Sequence, residues 1–251
     1  MNVLLITPNL KPGGSQKILI SLLNNLNTNT YILNYKKKEN FLVHFLKDKS
    51  KLIISNSKYI IFSFFELNKI INDKKIDVIM SSIRTINILI GLYSFLLGKK
   101  IKIFYYEPNV LIEFENLNIK LILRKILMKI SYSRATKIIA NSNDTKKDLL
   151  NHNIVKESKI TVISNPVDLN DEDYKLDDRF NRVLSKDKFI IISCGSLTFQ
   201  KNFELLIKSF KEVKKNKKNA FLVILGDGVL KENLQKISDN LKLSDDILFL
   251  G

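Results

Sequence analysis

The chain has 251 residues, 45% of them hydrophobic, which suits one large globular domain or two smaller ones. Lysine and arginine number 41 against 25 acidic residues, a formal net charge of +16 that points to anionic partners: nucleic acid, anionic lipid or phosphorylated small molecules. One cysteine, Cys194, excludes an internal disulfide and a cysteine-based metal cluster, and two histidines, His44 and His152, exclude a histidine-rich metal site.

Asn2 to Thr7 reads as a buried strand. Pro12-Gly13-Gly14-Ser15-Gln16 follows, and then Leu19, Leu22, Leu23 and Leu26 at helical spacing. The opening of the chain has no secretory pattern, which implies a cytoplasmic protein. Tyr31 to Tyr35 is a second strand, whereas Lys36 to Ser57 is basic, mixed and unassigned. Phe64 to Asn72 reads as a helix, Ile76 to Met80 as a strand, Thr85 to Leu97 as a helix and Ile101 to Tyr106 as a strand. Its apolar run, Ile86 to Leu97, is too short to span a bilayer. Strands alternating with helices imply a parallel sheet with helices on both faces. Glu107, at a strand's carboxyl end before Pro108, stands where such sheets hold their ligands; it is the candidate catalytic carboxylate, or else a surface carboxylate before a bent loop.

Asn116 to Ile138 is helical and strongly basic, with no Asp or Glu between Asn116 and Asn143. An amphipathic basic helix over 117–137 fits an anionic inner-leaflet surface; it equally fits a core helix with a solvated basic face. Lys137 to Asn141 and Ile160 to Ile163 read as strands, Asp144 to Leu150 as a helix. The polar stretch 169–187 reads as a linker. After it, Phe189 to Ile192 forms a strand, Gly195 a turn, and Phe203, Leu206, Ile207, Phe210 and Val213 a helical stripe. Lys201 sits beside that helix start, which together with its dipole makes a diphosphate site or an ordinary turn with a solvated lysine. Ala220 to Leu225 is a strand ending in Gly226-Asp227-Gly228, Val229 to Leu241 a helix, and Ile247 to Leu250 a strand. Five of the eight glycines, Gly13, Gly14, Gly195, Gly226 and Gly228, follow strands directly, a placement that favours backbone approach to a ligand.

The order of these motifs resembles the retaining, nucleotide-sugar-dependent glycosyltransferases of the GT-B type (glycosyl transferases group 1, family 4-like). The carrying residues are Pro12 to Gln16, Ile138-Ile139-Ala140-Asn141-Ser142, Ile163 to Asp168, Gly195-Ser196-Leu197 with Lys201-Asn202, and Gly226-Asp227-Gly228. The resemblance covers the whole chain. It implies an α/β fold of two Rossmann-like domains, the second incomplete. Residues 1–168 would form the N-terminal acceptor-side domain, 169–187 the linker, and 188–251 the first part of the C-terminal donor-binding domain.

The implied function is transfer of a sugar from a nucleotide-diphosphate donor to a glycan or lipid-linked acceptor in surface polysaccharide or lipopolysaccharide synthesis, peripheral on the cytoplasmic membrane face. Glu107 would be catalytic. Gly13, Gly14, Gly195, Ser196, Lys201, Asn202, Gly226 and Gly228 would bind the donor, with Lys201 neutralising the diphosphate. No cofactor and no metal is implied. Ser196 stands where the family usually has arginine, Gln16 where it has glutamate, and Pro108 where many members have histidine. The family's Glu-x7-Glu segment lies beyond Gly251, so the sequence reads as a C-terminal truncation, possessing uncertain activity by itself. The alternative is a non-catalytic basic scaffold binding a membrane surface, an anionic glycan or a partner transferase. Nucleic acid is disfavoured, since no zinc-finger, RNA-recognition or helix-turn-helix signature is present.

Overall fold

A computed structural model describes residues 1–36, 41–57, 60–97, 101–111, 118–166, 178–181, 183–184 and 187–251. The chain divides into two compact units, Met1–Asp168 and Leu169–Gly251.

In the first unit, apolar runs and amphipathic stripes alternate as β1 (Asn2–Thr7), α1 (Gly14–Asn25), β2 (Asn29–Asn34), β3 (Leu52–Ile54), α2 (Phe64–Asp73), β4 (Val78–Ser81), α3 (Arg84–Tyr93), β5 (Lys102–Glu107), α4 (Ile119–Ser133), β6 (Lys137–Ala140), α5 (Asn143–Asn151) and β7 (Ile160–Val162). The strands form one seven-stranded sheet, ordered β3-β2-β1-β4-β5-β6-β7, and every pairing is parallel. The central strand β1 is buried on both faces. Its alternate side chains divide between two cores: Val3 and Leu5 pack with Leu19 and Ile20 of α1, while Leu4 and Ile6 pack with residues of α2, α3, α4 and α5. This is the period-two alternation of a strand covered by helices on both sides. The strand order reverses at β1, flanked by β2 and β4, so the switch point of the sheet lies at the carboxyl end of β1.

The second unit contains α6 (Asp178–Asn181), β8 (Phe189–Cys194), α7 (Phe203–Asn216), β9 (Ala220–Leu225), α8 (Lys231–Asn240) and β10 (Ile247–Leu250). Its strands pair in parallel in the order β10-β9-β8. Phe203, Ile207 and Phe210 of α7 and Leu234 of α8 cover one face.

The expected α/β class with parallel sheets is the one observed. Four local expectations are revised. The unassigned Lys36 to Ser57 contains β3, which pairs with β2, although 37–40 lie outside the described residues. The basic helix ends at Ser133, because Lys137 and Ile138 enter β6 beside β5; residues 116 and 117 lie outside the described residues. The helix expected to run to Leu97 stops at Tyr93, where the Ser94 hydroxyl donates back to the Gly91 carbonyl (2.6 Å). The linker expected over 169–187 does not extend through its described part: Phe180 and Val183 pack on Phe221, Val223 and Leu250 of the second sheet. Residues 167–177, 182, 185 and 186 lie outside the description. Among the described residues, no helix is long and apolar enough to cross a membrane.

Candidate active site

Gly13 and Gly14 stand at the carboxyl end of β1. Asn9 organises the loop before them: its Oδ1 accepts from the Lys11 backbone N–H (3.2 Å) and from Gln16 Nε2 (3.3 Å). Helix α1 begins at Gly14 with no side-chain cap and no acidic residue in its first turn, so its positive dipole end is not answered by a carboxylate of its own first turn. A Cβ at Gly14 would meet nothing within 4 Å, and one at Gly13 would meet only the flexible end of Gln16. The fold itself does not demand glycine at either place.

Glu107 ends β5 and is 1% exposed. Arg84 Nη2 lies 3.1 Å from its Oε2. Asn87 Nδ2 donates to its Oε1 (3.0 Å), as does the Tyr132 hydroxyl. Asn87 is in turn fixed by the Ser81 hydroxyl, which donates to its Oδ1 (2.6 Å). Burial pushes the Glu107 carboxyl above its ordinary value, opposed by the Arg84 charge and by the bonds from Tyr132, Asn87 and Arg84. Burial and the adjoining carboxylate push Tyr132 well above its own. These contacts correct the reading of Glu107 as a catalytic carboxylate or a surface one. A buried carboxyl group enclosed by donors from α3 and α4 has no face to offer a substrate. Through Arg84 it connects to the chain that follows, since Arg84 Nη2 also donates to the Asn109 carbonyl (3.1 Å); that segment is held besides by Asn141 Nδ2 donating to the Pro108 carbonyl (2.9 Å) and by the Leu111 N–H donating to Asp148. Arg84, Asn87 and Tyr132 gave no signal in the sequence, since α3 and α4, which carry them, are distant from each other and from Glu107 in the chain.

In the second unit the structure gathers Gly195, Ser196, Lys201, Asn202, Gly226 and Gly228 at the carboxyl ends of β8 and β9. The two loops are joined by the Leu197 N–H to the Asp227 carbonyl (2.9 Å) and the Leu230 N–H to the Leu197 carbonyl (3.1 Å). The glycines divide here. Gly226 has φ +139°, and a Cβ on it would overlap the Gly195 carbonyl oxygen; a Cβ on Gly228 would overlap the Leu197 carbonyl. These two are required by loop-to-loop packing, which accounts for them without a ligand. Gly195 is different: a Cβ there would sit 3.5 Å from the Phe203 ring and 3.8 Å from Lys201 Cγ, in ordinary contact.

Lys201 is exposed and ends a short helical turn, Phe199–Lys201. Asn202, in the left-handed region at φ +49°, caps α7 by accepting from the Leu205 N–H (3.4 Å). Beside this cap is an open concavity of about 320 Å³ lined by Phe199, Gln200, Asn202, Phe203, Glu204 and Leu230. The capping asparagine before an apolar stripe is a signal the sequence carried. The concavity is not, because Leu230 comes from the other loop. A helix N-terminus, an exposed lysine whose stem passes beside Gly195, and an adjoining hollow are the elements of a phosphate site, although Glu204, paired with Lys208, also lines that hollow.

Comparison with known proteins bears on both units. The model for Glycosyltransferase Family 4 matches residues 31–171, and that for Glycosyl transferases group 1 matches residues 175–251. An uncharacterised glycosyltransferase of Methanocaldococcus jannaschii is 30% identical over 227 residues, which cover 81% of this chain and 54% of that protein. The N-acetylgalactosamine-N,N'-diacetylbacillosaminyl-diphospho-undecaprenol 4-alpha-N-acetylgalactosaminyltransferase of Campylobacter jejuni is 33% identical over 166 residues, covering 64% of this chain and 43% of that protein. The chain thus spans about half the length of these relatives. In fold it is similar to Anabaena HepE, solved in complex with UDP, at a TM-score of 0.76 and 15% identity, over 100% of this chain and 69% of that one. With a family model covering more than half its length on a sheet of the matching fold, the chain belongs to glycosyltransferase family 4.

Proposed function

We propose that the chain takes part in retaining transfer of a hexose from a nucleotide-diphosphate sugar to a glycan or lipid-linked acceptor, in surface polysaccharide or lipopolysaccharide synthesis at the cytoplasmic membrane face. The observation that carries this reading is Gly195 beside Lys201 at the Asn202-capped start of α7, next to a hollow that Asn202 lines, with glycine at 195 where the fold does not require it. The comparisons support it: Anabaena HepE was solved with UDP, and the Campylobacter jejuni relative is named for transfer to a diphospho-undecaprenol-linked sugar.

In this reading Lys201 and the α7 N-terminus meet the negative charge that grows on the diphosphate as the sugar bond breaks. They supply the counter-charge without a metal ion. Ser196 contributes its hydroxyl to phosphate or sugar oxygens, and in the first unit Gly13 and Gly14 offer backbone N–H groups at the end of β1. The unit Met1–Asp168 is the acceptor side and the second unit the donor side. Glu107 takes no proton in this scheme; it connects to the segment that follows through Arg84.

The test is calorimetric titration of the chain with UDP and the other nucleoside diphosphates, beside Lys201→Ala. Lys201 is exposed, so the variant folds. Its affinity for the preferred diphosphate is expected to fall about tenfold or more, the loss of one charge-assisted contact. Equal affinity in the two proteins would remove Lys201 from the site.

A further inference from the structure

The Gly226-Asp227-Gly228 loop holds one side chain that packing does not use. Gly226 and Gly228 are accounted for by the Gly195 and Leu197 carbonyls that a Cβ would strike. The Asp227 backbone is engaged as well, since its carbonyl accepts from the Leu197 N–H (2.9 Å). Its side chain is 69% exposed and stands just past the carboxyl end of β9, the middle strand of the second sheet. The carboxylate is nevertheless oriented. Oδ1 accepts from the Gly228 N–H (2.7 Å), and Oδ2 lies 3.7 Å from Lys231 Nζ, an ion pair too long for a hydrogen bond. A carboxylate offers about four acceptor positions, so most of those on Asp227 stay open to a ligand.

The surroundings of Asp227 connect it to Lys201 and the start of α7. Gly195 touches both sides. A Cβ there would sit 3.8 Å from Lys201 Cγ, while its own carbonyl oxygen is what excludes a Cβ from Gly226, the residue before Asp227. Leu230 donates to the Leu197 carbonyl (3.1 Å) and also lines the hollow at the start of α7. Glu204 lines that hollow too, but its carboxylate is bonded to Lys208 (2.6 Å); the more open carboxylate of the two is Asp227. Topology says what such a group can meet. β8, α7 and β9 form one strand-helix-strand unit with parallel strands. In nucleotide-binding units of this kind the diphosphate lies on the N-terminus of the helix, and an acidic residue further along accepts from a ribose hydroxyl. Lys201 and the start of α7 hold the first position, and Asp227, after the second strand, holds the other.

We propose that Asp227 accepts a hydrogen bond from the ribose 2′-hydroxyl of the nucleoside diphosphate and makes the site select ribonucleotides over 2′-deoxyribonucleotides, an inference that rests on the nucleotide-sugar reading above. The nucleotide then lies across Gly195, its diphosphate toward Lys201 and its ribose toward Asp227, and the absent side chain at 195 leaves that passage open. Lys231 has a separate part. As the first residue of α8 it is a cation at the positive end of a helix, a placement the dipole disfavours. Beside Asp227 it offsets the repulsion between the carboxylate and the diphosphate. Exposure sets the size of the selectivity. A buried group built for a substrate hydroxyl is left unpaired by the analogue that lacks it, and rejects that analogue strongly; an exposed carboxylate recovers water instead, so the discrimination is about tenfold.

The experiment is calorimetric titration of the whole chain with UDP, GDP, ADP and CDP and with the 2′-deoxy counterpart of each, beside Asp227→Ala, Asp227→Asn and Lys231→Gln. The wild type is expected to bind its preferred ribonucleotide about tenfold more tightly than the 2′-deoxy counterpart. Asp227→Ala should bind the two equally. Asp227→Asn, whose neutral carbonyl is a weaker acceptor, should lie between; a ratio there equal to that of the wild type would overturn the proposal even if the alanine variant failed to fold. Lys231→Gln should weaken both forms alike and leave their ratio in place. The ratio separates recognition from structure, since a variant that only loosens the loop lowers both affinities together. Equal binding of the two forms by the wild type would overturn the proposal, as would full discrimination by Asp227→Ala. In either case nucleotide binding stands, and the transferase reading with it. Binding of none of the four ribonucleotides by the wild type would instead remove the transferase reading and this inference together.

Discussion

Burial decides what Glu107 can do. Its raised pKa means that the folded chain holds this proton longer than the unfolded chain does. The stability it contributes is therefore fully present below its ordinary value of 4.5 and declines as pH rises through the raised one. Glu107→Gln removes that decline. In urea titrations the stability of the wild type relative to the variant should shrink as pH climbs from acid toward neutral; a gap that grows instead would show that Arg84 outweighs burial. The glycines give a second prediction. Gly226→Ala must relieve both a positive φ and an overlap with the Gly195 carbonyl, and should cost about 2–4 kcal/mol in denaturant unfolding. Gly14→Ala meets no atom and should leave the denaturation midpoint in place while weakening UDP binding if the backbone there approaches phosphate. A stable Gly226→Ala protein would refute the packing account. Sequence placed all five glycines after strands, but it could not divide them, because the atoms that exclude a Cβ at Gly226 and Gly228 belong to the neighbouring loop.

Elements were more legible than residues. Strands such as β1 and β9 are continuous apolar runs, and α7 carries its stripe and its cap in sequence, so local pattern and tertiary role agree. Strand β3 was hidden because three residues show no period and follow the basic turn Lys49–Lys51. Helix α4 was legible as a helix, but spacing alone does not separate its buried Met128 and Tyr132 from its exposed Ile122 and Ile126, and only packing tells which face is covered. The opening strands of the two units differ in the same way. β1 pairs with both β2 and β4, whereas among the described residues β8 pairs with β9 alone. Phe189 and Gly195 donate to Asn219 and Leu225 on the β9 side, so by parity the N–H groups of Ile190, Ile192 and Cys194 point to the outer edge of β8. Ile192 is 53% exposed there. Hydrogen exchange should find Leu4, Leu5 and Ile6 among the slowest amides and Ile192 among the fastest strand amides. Slow exchange at Ile192 in the isolated chain would mean that the β8 edge is covered in solution.

At the scale of the molecule, among the described residues two hydrophobic clusters lie within the first unit and two within the second. Cooperative unfolding follows the extent of a shared core, so units with separate cores should unfold as separate steps. The substitutions above provide a probe in each. Glu107→Gln alters only contacts made by α3, α4 and β5, and Gly226→Ala alters only the loops after β8 and β9. In exchange mass spectrometry across a denaturant series, Gly226→Ala should lower the midpoint of peptides from 189–250 and leave those from β1, β4 and β5 unmoved. Glu107→Gln should shift the first-unit peptides alone. The two effects should then add in the double variant, because the sites share no partner. If either substitution moves both sets of peptides together, the chain unfolds as one unit, and the donor and acceptor roles assigned to its halves could not be tested on the halves separately.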